Sequence, residues 1–342
     1  MRRTLTLLTA MLFTVSLVAG PSLADQRGGP GQGEGQGQGQ GQGQGKGQGL
    51  ENPNVVEFTS RGHEFFGLPE EIPAGWTTFR YHNNSDGEHL AYLAELPKVD
   101  GVQMTSADSV DEVAPVFQDA MNLIADGEFG AGFAEFGNLP AWYGQVIPTG
   151  GPGLVAPGEV AETTVHLEPG HYQLECYVKS LNKDTGYHEF HTFTMIEDLV
   201  VTNEQGGANE PVADVTVDLS EDGIEIDGDI RPGHRTFEIN LDDKTLVSEE
   251  PHGNLLGNSV HIARLDQGSD EDTLKELDGW MNWVNPEGLS VTPPATFLGG
   301  VNSMLPGSTA YVSVHLTPGE YAIVSEVDGP LGKDMLVTVS VP

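Results

Sequence analysis

Residues 150–178 read GGPGLVAPGEVAETTVHLEPGHYQLECYV, and residues 299–327 read GGVNSMLPGSTAYVSVHLTPGEYAIVSEV. The two stretches align without a gap at an offset of 149 residues: Gly151 falls on Gly300, Pro157-Gly158 on Pro306-Gly307, and Pro169-Gly170 on Pro318-Gly319. Within each copy, apolar and polar residues alternate between Pro-Gly turns, over Thr163 to Leu167 and His171 to Val178 in the first and Ala310 to Leu316 and Tyr321 to Val327 in the second. A period of two closed by tight turns is the signature of short antiparallel strands. Thr77 to Tyr81 and Thr236 to Ile239 add a matching strand to each half. The expected fold is all-β, with two tandem Greek-key β-sandwich domains.

Each half also carries a short helical insert ahead of its Gly-Gly motif. Val113, Phe117, Ala120, Met121 and Ile124 recur at helical spacing, as do Leu274, Leu277, Met281 and Val284. The expected boundaries are 51–203 and 212–342, joined by a linker at 204–211. The stretch NEQGGANE at 203–210 has no apolar residue except Ala208. Ahead of the first domain, the basic start Met1-Arg2-Arg3, the apolar run Leu5 to Ala19 and the ending Ser22-Leu23-Ala24 read as a signal peptide over 1–24. Ordinary secretion is the first reading, with a twin-arginine route left open by Arg2-Arg3. Residues 25–50 are nearly pure Gly-Gln repeat and read as a tether. The expected location is secreted or periplasmic, with no membrane insertion.

The chain holds 51 acidic and 15 basic residues, a formal charge of −36. Such a balance argues against nucleic acid and anionic membranes as partners. Solubility explains it most simply. Steering of a cationic partner, such as a basic redox protein, is the functional alternative.

Cys176 is the single cysteine, and at the offset of the repeat it falls on Ser325. It has no internal disulfide partner, which leaves burial, an intermolecular bond or a functional thiol. Strand alternation puts Tyr172, Leu174, Cys176 and Val178 on one apolar face, so the thiol points into the core. Downstream, Gly186 to Met195 reads GYHEFHTFTM and offers His188, His191 and Met195; upstream, NNSDGEH ends on His89. One thiolate, two imidazoles and a weak thioether form the ligand set of a mononuclear blue-copper site.

At these residues the chain resembles the cupredoxins. NNSDGEHLAYLAEL is similar to the segment holding the family's upstream histidine ligand, PGEVAETTVHLEPGHYQLEC to the strand pair leading to its cysteine, and GYHEFHTFTMIEDLVV to its histidine-to-methionine end. The resemblance implies copper as cofactor, held by His89, Cys176, one of His188 or His191, and Met195. It implies electron transfer or copper holding, without enzymatic activity. The family places its second histidine soon after the cysteine, whereas His188 and His191 lie 12 and 15 residues beyond Cys176. The four-residue step from His191 to Met195 matches azurin-like members and favours His191. A metal-free binding or structural module of the envelope or extracellular space is the alternative. A shared site requires His89 within about 6 Å of the Cys176 sulfur, because such metal bonds are about 2.0–2.3 Å long.

The second copy keeps Met335 but has Ser325 for the thiol and no histidine before the methionine, so no copper centre is expected there. No paired His-x-His motif exists to hold further metals, which argues against oxidase or reductase activity. A Cys-His nucleophile is disfavoured by the inward thiol. His166 and its counterpart His315 point outward, as does His171. His82 precedes the turn, and His63, His234, His252 and His261 have no convergent thiol; surface roles are expected for them. The Gly-Gly pairs are expected in turns between strands, away from any phosphate-binding context.

Overall fold

The computed structural model describes residues 54–242, 259–282, 284–290, 292–327 and 329–342. The signal-peptide and tether readings, and His252, lie outside the described residues. In the first half, Val55–Arg61 runs parallel to Glu71–Asn83, which pairs antiparallel with Val160–Leu167. A second group, Ile147–Gly150, Tyr92–Glu95, Gly170–Glu175 and Ile196–Gln205, pairs antiparallel in that order. The last of these returns parallel to the start of Glu71–Asn83. The second half repeats the scheme. Val215–Ser220 lies parallel to Gly233–Leu241, which pairs antiparallel with Thr309–Leu316. Ala295–Val301, Val260–Leu265, Gly319–Val324 and Leu336–Val341 form its other sheet. The fold is all-β and duplicated, as the repeat in the sequence predicts.

Alternation of buried and open positions is clearest along Glu71–Asn83 and Val215–Ser220. Along Val160–Leu167, Ala161, Thr163, Val165 and Leu167 are buried while His166 is exposed against Trp76. Along the cysteine strand, Tyr172, Leu174, Cys176 and Val178 are all buried, so the thiol points inward. One contiguous apolar core runs through both halves.

The halves meet about a local two-fold axis. Thr163 pairs with Val312, its own counterpart at the offset of 149, in an antiparallel contact between Val160–Leu167 and Thr309–Leu316. The Gly153 N–H donates to the Gly300 carbonyl (3.0 Å) and the Asn302 N–H to the Gly151 carbonyl (2.9 Å), two bonds that exchange under the same offset. The Gly-Gly motifs pack tightly at this seam: a Cβ on Gly299 would lie 2.8 Å from the Ala161 Cβ of the other half, while Gly151 and Gly300 press on the backbone of their own halves. A Cβ on Gly151 (φ +88°) would lie 2.3 Å from the Ala91 carbonyl oxygen, and one on Gly300 would lie 2.1 Å from that of Val260. The expectation that these glycines sit in turns is corrected. Gly299 and Gly300 lie inside Ala295–Val301, and Gly150 closes Ile147–Gly150. They are needed for close strand packing, not for reversing the chain.

Both helical inserts form. Ala114–Ala125 has Pro115 in its first turn, where the missing N–H is not needed, and buries Ala120, Met121 and Ile124. Glu271–Met281 is capped by the Asp270 side chain, which accepts from the N–H groups of Asp272 and Thr273, and buries Leu277 and Met281. Val284 lies beyond its end. The strand Ile196–Gln205 continues into the polar NEQGGANE stretch, where its last residues are exposed.

Candidate metal centre

Three backbone tethers bring the candidate donors together. His89 sits where the chain enters the Tyr92–Glu95 strand, pinned by a two-way bridge to Val155 (His89 N–H to Val155 O 3.2 Å, Val155 N–H to His89 O 2.8 Å). Cys176 follows Gly170–Glu175, and its N–H donates to the Met195 carbonyl (2.9 Å). His191 opens a short 3-10 turn, donating its N–H to Val178 O (2.9 Å) and accepting the Met195 N–H (2.7 Å). The NNSDGEH loop is organised from inside by Asn83, fully buried. Its amide donates to Gly87 O (2.8 Å) and Val155 O (2.7 Å) and accepts from the Ser85 N–H (3.0 Å).

His89 Nδ1 lies 3.4 Å from Cys176 Sγ, His191 Nδ1 lies 3.8 Å from the same sulfur, and the two Nδ1 atoms are 3.2 Å apart. All three side chains are buried, and theirs is the one histidine-cysteine-carboxylate cluster of metal-binding size among the described residues. The outer nitrogen of His191 is anchored, its Nε2 meeting Ser180 Oγ at 2.7 Å, and the His89 ring faces the Gly62 backbone. A donor fixed on Nε2 leaves Nδ1 as a lone pair, so the anchoring sets which atom faces inward. Burial lowers the His89 imidazole to about 4, with help from the nearby His63. It lowers His191 to about 2, with help from His89 and His63. Burial also pushes the Cys176 thiol up to about 12. Two unprotonated nitrogens and a sulfur therefore face one another, a donor set that a soft metal ion would bind by displacing the thiol proton. The donor set fits copper. Met195 is buried in the core beside the cluster's own backbone bonds.

The alternatives left open by the sequence part here. His188 pairs with Leu181 in a hairpin formed by Lys179–Leu181 and His188–Phe190, half-buried and outside the cluster. That hairpin accounts for the long step from cysteine to histidine. In the second half Ser325 N–H donates to Met335 O (2.9 Å), the same bond as Cys176 to Met195, across a shorter loop without a hairpin. Of the expected surface histidines, His261 is corrected, while His63 keeps its surface place but touches the cluster. His63 is exposed, but its ring stacks on His191 (centroids 3.9 Å, 24° between planes) and meets His89 edge-on at 5.9 Å. His261 is fully buried, accepting the Leu154 N–H on Nδ1 (3.0 Å) and reaching Ser259 Oγ with Nε2 (3.1 Å). Its strand is covered on both faces, by its own core and by the other half. The remaining histidines lie apart from the cluster: His82 on Glu57 (2.9 Å), His171 on Asp198 (3.0 Å), and His234 against His315.

Fold and donor set together define a tandem cupredoxin-like protein whose first half gathers His89, Cys176 and His191 into a cluster able to hold copper. No protein-family model and no curated protein matches the chain. Solved structures that it resembles include auracyanin A, a "blue" copper protein from Chloroflexus aurantiacus (24% identity over 44% of this chain and 99% of that one, TM-score 0.26). Auracyanin from Roseiflexus castenholzii is similar at 17% identity over 44% and 99% (TM-score 0.25). Copper nitrite reductase from Nitrosomonas europaea is similar at 13% identity over 84% of this chain and 93% of that one (TM-score 0.20). The expectation of a protein without enzymatic activity is corrected by this last kind of likeness, since nitrite reductases, multicopper oxidases and a laccase, all enzymes, stand among the similar structures.

Proposed function

We propose that the first half binds one copper ion through His89, Cys176, His191 and Met195 and uses it to pass single electrons. The observation that carries this is the meeting of two Nδ1 lone pairs and a sulfur in a buried, pre-anchored cluster. Copper bound there supplies a one-electron couple, with sulfur favouring the reduced ion and imidazole suiting both states. The protein's share is positional. Ser180 and the backbone bonds around Met195 hold the donors in place, and burial keeps water out. An open groove lined by His63, Gln118, Ser180, Leu181, His191 and Phe193 lies over the centre. Leu181 and Phe193 are exposed there, giving a partner an apolar face to touch within a strongly acidic molecule. A basic redox partner fits that charge.

Export is part of this proposal, resting on the leader-like residues 1–24; no described helix is long and apolar enough to cross a membrane. The division into a copper-holding domain over 51–203 and a supporting domain over 212–342 rests on the donors all lying in the first. Titration of metal-free protein with Cu(II) tests the reading. An intense visible band from thiolate-to-copper charge transfer is expected at one equivalent and is absent in Cys176→Ser. No band, or a band unchanged in the variant, overturns it.

A further inference from the structure

Tyr177, the residue after Cys176, and Glu326, the residue after Ser325, are counterparts 149 positions apart that meet across the local two-fold axis. The Tyr177 hydroxyl lies 2.9 Å from Glu326 Oε2 and 2.7 Å from Asn302 Oδ1, all three groups buried. The amide oxygen is identified by the Ser303 backbone N–H that donates to it at 2.7 Å. A phenol has one hydrogen and here faces two acceptors at full hydrogen-bond distance. An amide oxygen cannot supply the second hydrogen, so the carboxyl must. Glu326 then donates to Tyr177, and Tyr177 donates to Asn302. The other carboxyl oxygen, Oε1, is buried without a partner. An ionised carboxylate tolerates that badly and a neutral acid far better.

We propose that Glu326 is a buried proton-binding site, a carboxylic acid at neutral pH, through which the second half tunes the charge around the Cys176 centre. This tuning rests on the copper reading; the proton site does not. Burial raises the Glu326 carboxyl to about 8, with partial relief from Tyr177 and Lys179. Among the described residues, the groups facing it are Tyr177, Lys179 and, through Ser259, His261. Tyr177 stays a neutral phenol, raised far up by burial. Lys179, from the same segment as Tyr177, is buried and lowered to about 7 by desolvation. On its own half, the Glu326 N–H donates to Ser259 Oγ (2.9 Å), which also meets His261, held neutral by a fall to about 3. As pH rises, Lys179 and Glu326 each lose a proton, and the site's net charge falls. A more negative surrounding favours Cu(II) over Cu(I), so the reduction potential falls with rising pH. By linkage, when bound copper takes one electron from an external one-electron donor, the proton affinity of Glu326 rises.

Two measurements test this. Infrared difference spectra of metal-free protein at pH 7 are expected to show a protonated-carboxyl C=O band that Glu326→Gln removes, Tyr177→Phe shifts, and higher pH erases. Identical spectra for wild type and both variants overturn the proton site. In copper-loaded protein, the potential is expected to fall between pH 7 and 9 in the wild type and to fall less in Glu326→Gln. Parallel pH profiles for the two overturn the tuning. Failure to load copper overturns the copper reading and the tuning together and leaves the infrared result to decide the proton site.

Discussion

Acid should weaken the metal-free protein through His89, by an amount the structure sets. In the unfolded chain this imidazole takes its proton near pH 6.5; in the folded chain burial delays protonation to about 4. Between those values the unfolded state binds more protons, so stability is complete above 6.5 and is lost as pH falls toward 4. At about 1.4 kcal/mol per pH unit, His89 alone accounts for a loss of about 3 kcal/mol. Other groups move the opposite way. Protonating surface carboxylates relieves the self-repulsion of a chain carrying −36, and the half-buried Glu175, raised to about 7, gains from its proton. The clean quantity is therefore the difference between wild type and His89→Gln, a variant of similar size without the titration. Urea unfolding of both metal-free proteins from pH 7 to 4.5 should show the wild type losing about 2–3 kcal/mol relative to the variant. Parallel pH profiles would mean instead that His89 is solvated or already protonated in the fold.

The anchors and the packing give further predictions. Ser180→Ala frees the outer nitrogen of His191 and should weaken copper binding about 10–100-fold, read by competition with a chelator, while the unfolding free energy of the metal-free protein stays nearly unchanged. His63→Ala uncovers the His191 ring and should speed removal of bound copper by a chelator while the visible band survives. If the rate is unchanged, His63 is not a cover. Gly151→Ala forces a Cβ onto the Ala91 carbonyl at a left-handed backbone position; it should lose about 3 kcal/mol or more by urea unfolding, and copper binding with it.

The duplicated strand pattern was legible because its alternation matches a sheet buried on one face. The inward thiol followed from the apolar company of Tyr172, Leu174 and Val178, although Gln173 and Tyr177 opposite are buried too, and His89 followed from the resemblance. His261 was not legible, since its strand, Val260, His261, Ile262 and Ala263, is buried on both faces, and alternation carries no information there. Choosing between His188 and His191 depended on a hairpin after Cys176 that spacing alone does not reveal. The hairpin carries His188 away and leaves His191 on the turn that returns to the cysteine. His63 lies far from the other donors in sequence and reaches them by ring stacking, which leaves no periodic trace. Asn83 and Ser180 were hidden for a related reason: polar residues in loops show their purpose only once the carbonyls and imidazoles they hold are in place.

X-ray absorption at the copper edge of the loaded full chain, with metal and protein quantified on the same sample, reads the ligand set itself. One copper per chain with a single short sulfur bond and two imidazole nitrogens is expected, and no short sulfur bond in Cys176→Ser. A copper bound only by nitrogen and oxygen, or one whose signal is the same in both proteins, would contradict a copper site built on Cys176.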